Sequence, residues 1–130
     1  MDEVKRRAGL AGRAVSSLAA VLRESKTPVV RDAAIQRFEY SFEATWKATQ
    51  RYLRDREGLD AASPAAAIRS GHAVGLFSEE QARLAFEMLS DRNLTVHTYN
   101  EPLAEEIFAR LPRYVTLLEG WVKALEQKLS

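Results

Sequence analysis

Apolar residues return every three or four positions along most of the chain, and no segment alternates for long enough to suggest a strand. Between Asp2 and about Ser25 they fall at Val4, Ala8, Ala11, Val15, Leu18 and Leu22, a single stripe on a first helix. Lys26-Thr27-Pro28 interrupts it. Thr27 is a helix-capping residue, and Pro28 suits a first turn, where a missing N–H costs nothing. A second helix is predicted from Pro28 to about Glu57, with Ile35, Phe38, Phe42, Thr45, Thr49 and Leu53 facing inward and Gly58 as a left-handed stop. At 1.5 Å per residue this rod is about 45 Å long.

Leu59 to Ser63 reads as a loop, and Ser63-Pro64 repeats the cap-then-proline signal before a short alanine-rich helix ending near Gly75. Ser78-Glu79-Glu80-Gln81 is a capping box. It opens a helix expected to bury Ala82, Ala85, Phe86 and Leu89 and to run into Arg92. After the boundary at Asn100-Glu101-Pro102, Leu103, Ile107, Leu111, Tyr114, Leu118, Trp121 and Leu125 recur at nearly heptad spacing. Pro112 lies inside that last helix and is expected to kink it or split it. Trp46, Trp121 and Tyr114 are expected in the core. Four main helices and one short one, joined by short loops, predict an all-α, up-and-down four-helix bundle forming one domain over residues 1–130.

Composition narrows the picture without changing it. The 130 residues are 46% hydrophobic and 28% charged, a globular balance. No cysteine is present, so disulfides and thiolate metal sites are excluded and a reducing, cytoplasmic setting is expected. The apolar run Ser16 to Leu22 is short and follows Asp2 and Glu3, so it is read as helix and not as a targeting leader. No run approaches the roughly 20 apolar residues that span a bilayer, and no membrane partner is expected. A net charge of +1 supplies no global field for nucleic acid, so any RNA contact must come from a local cluster.

The sharpest candidate cluster is Arg92-Asn93-Leu94-Thr95-Val96-His97-Thr98-Tyr99. Cleaving RNA requires a group to move the 2′-hydroxyl proton and a fixed positive charge beside the phosphorus. Histidine titrates near neutrality and arginine is permanently charged and forked, so Arg92 and His97 supply both without a metal. Positions 92 and 97 nevertheless point about 140° apart on an unbroken helix, at about 100° per residue. Either the helix ends between them, as Asn100 and Pro102 suggest, or two copies face each other across a dimer, the arrangement favoured here with fraying of the helix contributing. Asn93 and His97, four apart, would share a helix face, so Asn93 could orient the imidazole. Equally, a helix end carries such cations simply to offset its dipole.

A second candidate lies on the long helix, where Glu39, Glu43 and Lys47 follow one another at four-residue spacing. This is also the spacing of ordinary surface ion pairs. His72 stands alone without partners at ligand spacing, so no metal site and no cofactor are expected.

The residues Arg37-Phe38-Glu39-Tyr40-Ser41-Phe42-Glu43 with Trp46-Lys47, then Ala67-Ile68-Arg69, Gly75-Leu76, Arg92-Asn93 and His97-Thr98-Tyr99-Asn100-Glu101 resemble, in that order, the nucleotidyltransferase substrate-binding protein family of the HEPN superfamily. The resemblance spans about Val30 to Leu125. It implies a four-helix bundle that pairs with a separately encoded minimal nucleotidyltransferase and usually forms a homodimer with the two motifs near the interface. Some relatives of this kind are read as substrate-binding subunits. Others are metal-independent ribonuclease toxins, in which the partner acts as antitoxin by adenylylating the motif tyrosine. On this pattern Arg92, Asn93 and His97 match the catalytic positions and Tyr99 the modified one. The expected function is thus a ribonuclease toxin subunit acting on RNA. The alternative is a non-catalytic subunit holding a nucleotide in a groove lined by Glu39, Glu43, Lys47 and Arg69.

Overall fold

The computed structural model describes residues 2–130. Helix α1 spans Glu3–Leu22, α2 Pro28–Tyr52, α3 Pro64–Ala73, α4 Glu79–Leu94 and α5 Glu101–Leu129. Two tighter or wider turns complete the path: a π-helical turn at Leu53–Glu57 after α2 and a 3-10 turn at Thr95–His97 after α4. No strand occurs among the described residues.

The starts follow the capping chemistry. Thr27, Ser63 and Ser78 accept from the backbone N–H of Val30, Ala66 and Gln81. The Gln81 side chain returns to the Ser78 N–H at 2.8 Å, closing the capping box. Gly58 ends the long second rod with φ 68°, the left-handed geometry glycine tolerates. The rod's last turn is wider than an α-turn, which the apolar spacing does not reveal.

Helices α1 and α2 run antiparallel, since Arg37 donates to the Ser17 carbonyl at 2.7 Å while Arg56 pairs with Asp2 at the opposite end. Helices α4 and α5 are also antiparallel, with Asp91 on Arg110 and Glu87 beside Arg113. Helices α2 and α5 are parallel across the core: Arg31 meets Glu101 at one end and Thr49 meets Trp121 at the other. The result is an up-and-down bundle with α3 as the short addition.

The core follows the apolar stripes. Phe38, Phe42, Leu53, Leu111, Leu118 and Leu125 are fully buried, Phe38 stacks on Tyr114 at 5.6 Å, and Phe77 meets Trp121 edge-on at 5.0 Å. Trp121 Nε1 donates to Thr49 Oγ1 at 2.8 Å, so its one polar atom is satisfied inside. Truncating such a tryptophan costs about 3–5 kcal/mol.

Two expectations change. Helix α4 buries Ala82, Ala85, Met88 and Asp91, while Phe86 and Leu89 are only half-buried, so its inner face is rotated toward a three-residue spacing. Helix α5 is not split at Pro112. The ring sits on the exposed side of the helix, away from the core.

Candidate functional site

The rotated face of α4 decides where the Arg92 cluster points. Asp91 is buried, and its carboxylate accepts from Arg110 Nε and Nη2 at 2.6 and 2.9 Å and from the Tyr114 hydroxyl at 2.5 Å. Burial, and then the hydrogen bond to Asp91, push the Tyr114 phenol well above its ordinary titration range. The hydrogen bond to Asp91 likewise raises Arg110. The end of α4 is thereby fastened to α5.

One residue on, Arg92 projects toward α2. Its Nη2 lies 3.7 Å from Glu43 Oε2. That carboxylate also accepts from Trp46 Nε1 at 3.1 Å and lies 3.3 Å from Lys47 Nζ. The two candidate clusters of the sequence therefore meet in space at Glu43. Glu39, one turn earlier on α2, and Arg69, exposed on α3, form no ion pair with this group among the described residues.

The helix does end between Arg92 and His97. Thr95 Oγ1 donates to the Arg92 carbonyl at 2.7 Å and Thr98 Oγ1 to the Thr95 carbonyl at 2.9 Å. These side chains take carbonyls that a continuing helix would use, and the chain tightens into a 3-10 turn. Asn100 then caps α5 by accepting from the Leu103 N–H at 3.1 Å. The break carries His97 and Tyr99 outward. Tyr99 is 83% exposed and its ring meets the His97 ring edge-on, with centroids 6.0 Å apart.

The break also removes the basis for Asn93 as an orienter. With the helix interrupted, four residues no longer mean one shared face, and no hydrogen bond joins exposed Asn93 to exposed His97 among the described residues. No contact joins Arg92 to His97 among the described residues: Arg92 pairs with Glu43 on α2, and His97 is exposed. No group of three His, Asp or Glu side chains among the described residues is placed to hold a metal.

Two further features matter to the site. Asp91 lies beside the motif on the face that Ala82, Ala85 and Met88 bury at three-residue spacing. Arg31 is buried among Asp32, Glu101 and Glu105, which hold its guanidinium charged; of these only Asp32 is near it in sequence, and the other two come from α5.

The profile of a family described as nucleotidyltransferase substrate binding protein like matches residues 8–127. A protein of Thermus thermophilus with a known crystal structure is 56% identical, with a TM-score of 0.85 over 88% of this chain and 98% of that one. No functionally curated protein matches significantly.

Proposed function

The chain belongs to the nucleotidyltransferase substrate-binding protein family, and on that premise we propose that it partners a separately encoded minimal nucleotidyltransferase and acts as a HEPN-type, metal-independent endoribonuclease switched off by adenylylation of Tyr99. One observation carries this reading: beyond buried Thr95 the chain presents the His97 and Tyr99 rings side by side and exposed, a few residues after a half-buried Arg92. A core residue has no need of such exposure, whereas a proton-transfer group and a modification site do.

In the proposed reaction a ribose 2′-oxygen attacks the adjacent phosphorus and the 5′-oxygen leaves, giving a 2′,3′-cyclic phosphate. His97 moves the proton from the attacking oxygen to the leaving one, and Arg92 offsets the charge on the phosphorane. Since Arg92 faces α2 and His97 faces solvent, the two act across a homodimer, the Arg92 of one copy with the His97 of the other. In the switching step the Tyr99 oxygen attacks the α-phosphorus of ATP, pyrophosphate departs and the phenol proton passes to solvent. The product sets a bulky anion against the His97 ring and repels RNA.

Single-stranded RNA incubated with the purified protein in EDTA is expected to give fragments ending in 2′,3′-cyclic phosphate. Wild-type inactivity, or undiminished cutting by His97→Ala, overturns the ribonuclease part. With the transferase and ATP, wild type is expected to gain one adenylyl mass and Tyr99→Phe none; equal gain removes Tyr99 from the proposal.

The pairing of Arg92 with Glu43 favours a second reading, in which the chain holds a nucleotide for the transferase and cuts nothing. Its Arg92 charge is then structural. Intact transferase binding by a protein that leaves RNA whole selects this reading.

A further inference from the structure

Three carboxylates along the α1–α2 face each hold two cations. Glu3 takes Arg6 and, at 3.6 Å, Arg7. Asp55 takes Arg51 at 2.8 Å and Arg54 at 3.5 Å. Glu43 takes Lys47 at 3.3 Å and Arg92 at 3.7 Å. Six cations thus share three carboxylates, on a chain whose formal charge is only +1.

Five of these cations, Arg6, Arg7, Lys47, Arg51 and Arg54, border one continuous groove. A hollow of about 420 Å³ is lined by Arg6, Arg7, Leu10, Lys47 and Gln50. A second, of about 520 Å³, is lined by Arg7, Gln50, Arg51, Arg54 and Asp60. Arg7 and Gln50 belong to both, and Lys47 joins the groove to Arg92 through Glu43. Asp60 offsets one charge at the far wall and leaves a local excess of about two.

We propose that this groove seats the phosphodiester backbone of single-stranded RNA and leads it over Lys47 to Arg92. Three points carry the inference. A guanidinium has five N–H donors, so a carboxylate shared by two arginines holds them in place while leaving donors for a phosphate. The cations are spread along the helix, and from Lys47 to Arg54 is about 10 Å at 1.5 Å per residue, more than one phosphate needs. Leu10 is 41% exposed beside them, an apolar surface for sugar and base faces of the kind that single-strand grooves use. What happens to the strand at Arg92 rests on the ribonuclease reading above; its seating in the groove does not.

The test measures binding apart from cutting. A labelled single-stranded RNA long enough to span the groove is titrated, across a salt series, against the His97→Ala protein and against that protein carrying Arg7→Gln or Arg54→Gln. Each added substitution is expected to weaken binding and to lower the slope of log affinity on log salt by about 0.7. Arg113→Gln, paired with Glu87 on the α4–α5 side, is expected to bind like its parent. Unchanged slopes in both groove variants, equal loss in Arg113→Gln, or displacement of the RNA by AMP as efficient as by unlabelled RNA overturns the inference. If either glutamine variant loses its thermal transition, Arg7→Lys and Arg54→Lys carry the test and are expected to keep the slope. RNA bound through these arginines but left uncut by wild type sustains the groove and fells the ribonuclease reading. RNA cut by wild type, with binding indifferent to both arginines, does the reverse.

Discussion

Asp91 and Arg92 are neighbours in the chain and opposites in their surroundings. The Asp91 carboxylate is buried and takes three hydrogen bonds from α5, whereas the chain beyond Arg92 turns outward until Tyr99 stands almost wholly in solvent. The same helix end is thus anchored on one side and open on the other. Anchoring fixes where the motif begins, and exposure leaves its last residues free to meet a partner or a substrate. The difference separates the two demands on a site, precise placement and accessibility, and assigns them to different residues.

Substitutions on either side of that division are expected to act in different currencies. The largest effect belongs to His97→Ala, which on the proposed ribonuclease reading lowers RNA cleavage by roughly 10²–10⁴-fold while leaving the denaturant midpoint where it was; a lowered midpoint would show that the open side also supports the fold. Next comes Asp91→Ala. Removing one partner of a buried pair costs about 3–5 kcal/mol, and because Arg110 remains a third exposed, about 2–3 kcal/mol is expected in urea unfolding.

Tyr114→Phe removes a single hydrogen bond to the Asp91 carboxylate and is expected to cost about 1.5–2 kcal/mol by the same measurement. Alkali tests the anchored side in another way. The Tyr52 phenol is pushed up to about 12 by burial and then by its hydrogen bond to Glu57, and Tyr114 is raised as well. A raised pKa contributes stability below the unfolded value of about 10, and that stability is lost as pH climbs through the folded value. Unfolding free energy is therefore expected to fall between pH 10 and about 12, and less steeply in Tyr114→Phe; a flat profile contradicts the buried environment. The smallest effect is that of Tyr99→Phe on stability, within about 0.5 kcal/mol.

How far the chain could be read in advance varies by residue. Thr27-Pro28, Ser63-Pro64 and the Ser78–Gln81 box announce their helices because capping is satisfied within four residues. Pro112 was less legible: its local effect is a lost hydrogen bond, but which way its ring points depends on the packing of α5. The Arg92–His97 geometry was half legible, since Asn100 and Pro102 signal a break while its form rests on Thr95 and Thr98. Glu43 was visible only as part of a routine surface stripe, and Glu39 and Arg69 looked equally placed to join it.

Spacing along the chain thus settled the helices, their caps, the apolar stripes of α1, α2 and α5 and the order of the motif, because each depends on interactions a turn or two long. The approach of Glu43 to Arg92, the burial of Asp91 against Arg110 and Tyr114, the enclosure of Arg31 and the sharing of three carboxylates along the α1–α2 groove all depend on how the helices rotate against one another. That rotation is set by side chains competing for one core, so partners far apart in sequence are named only once the packing is complete.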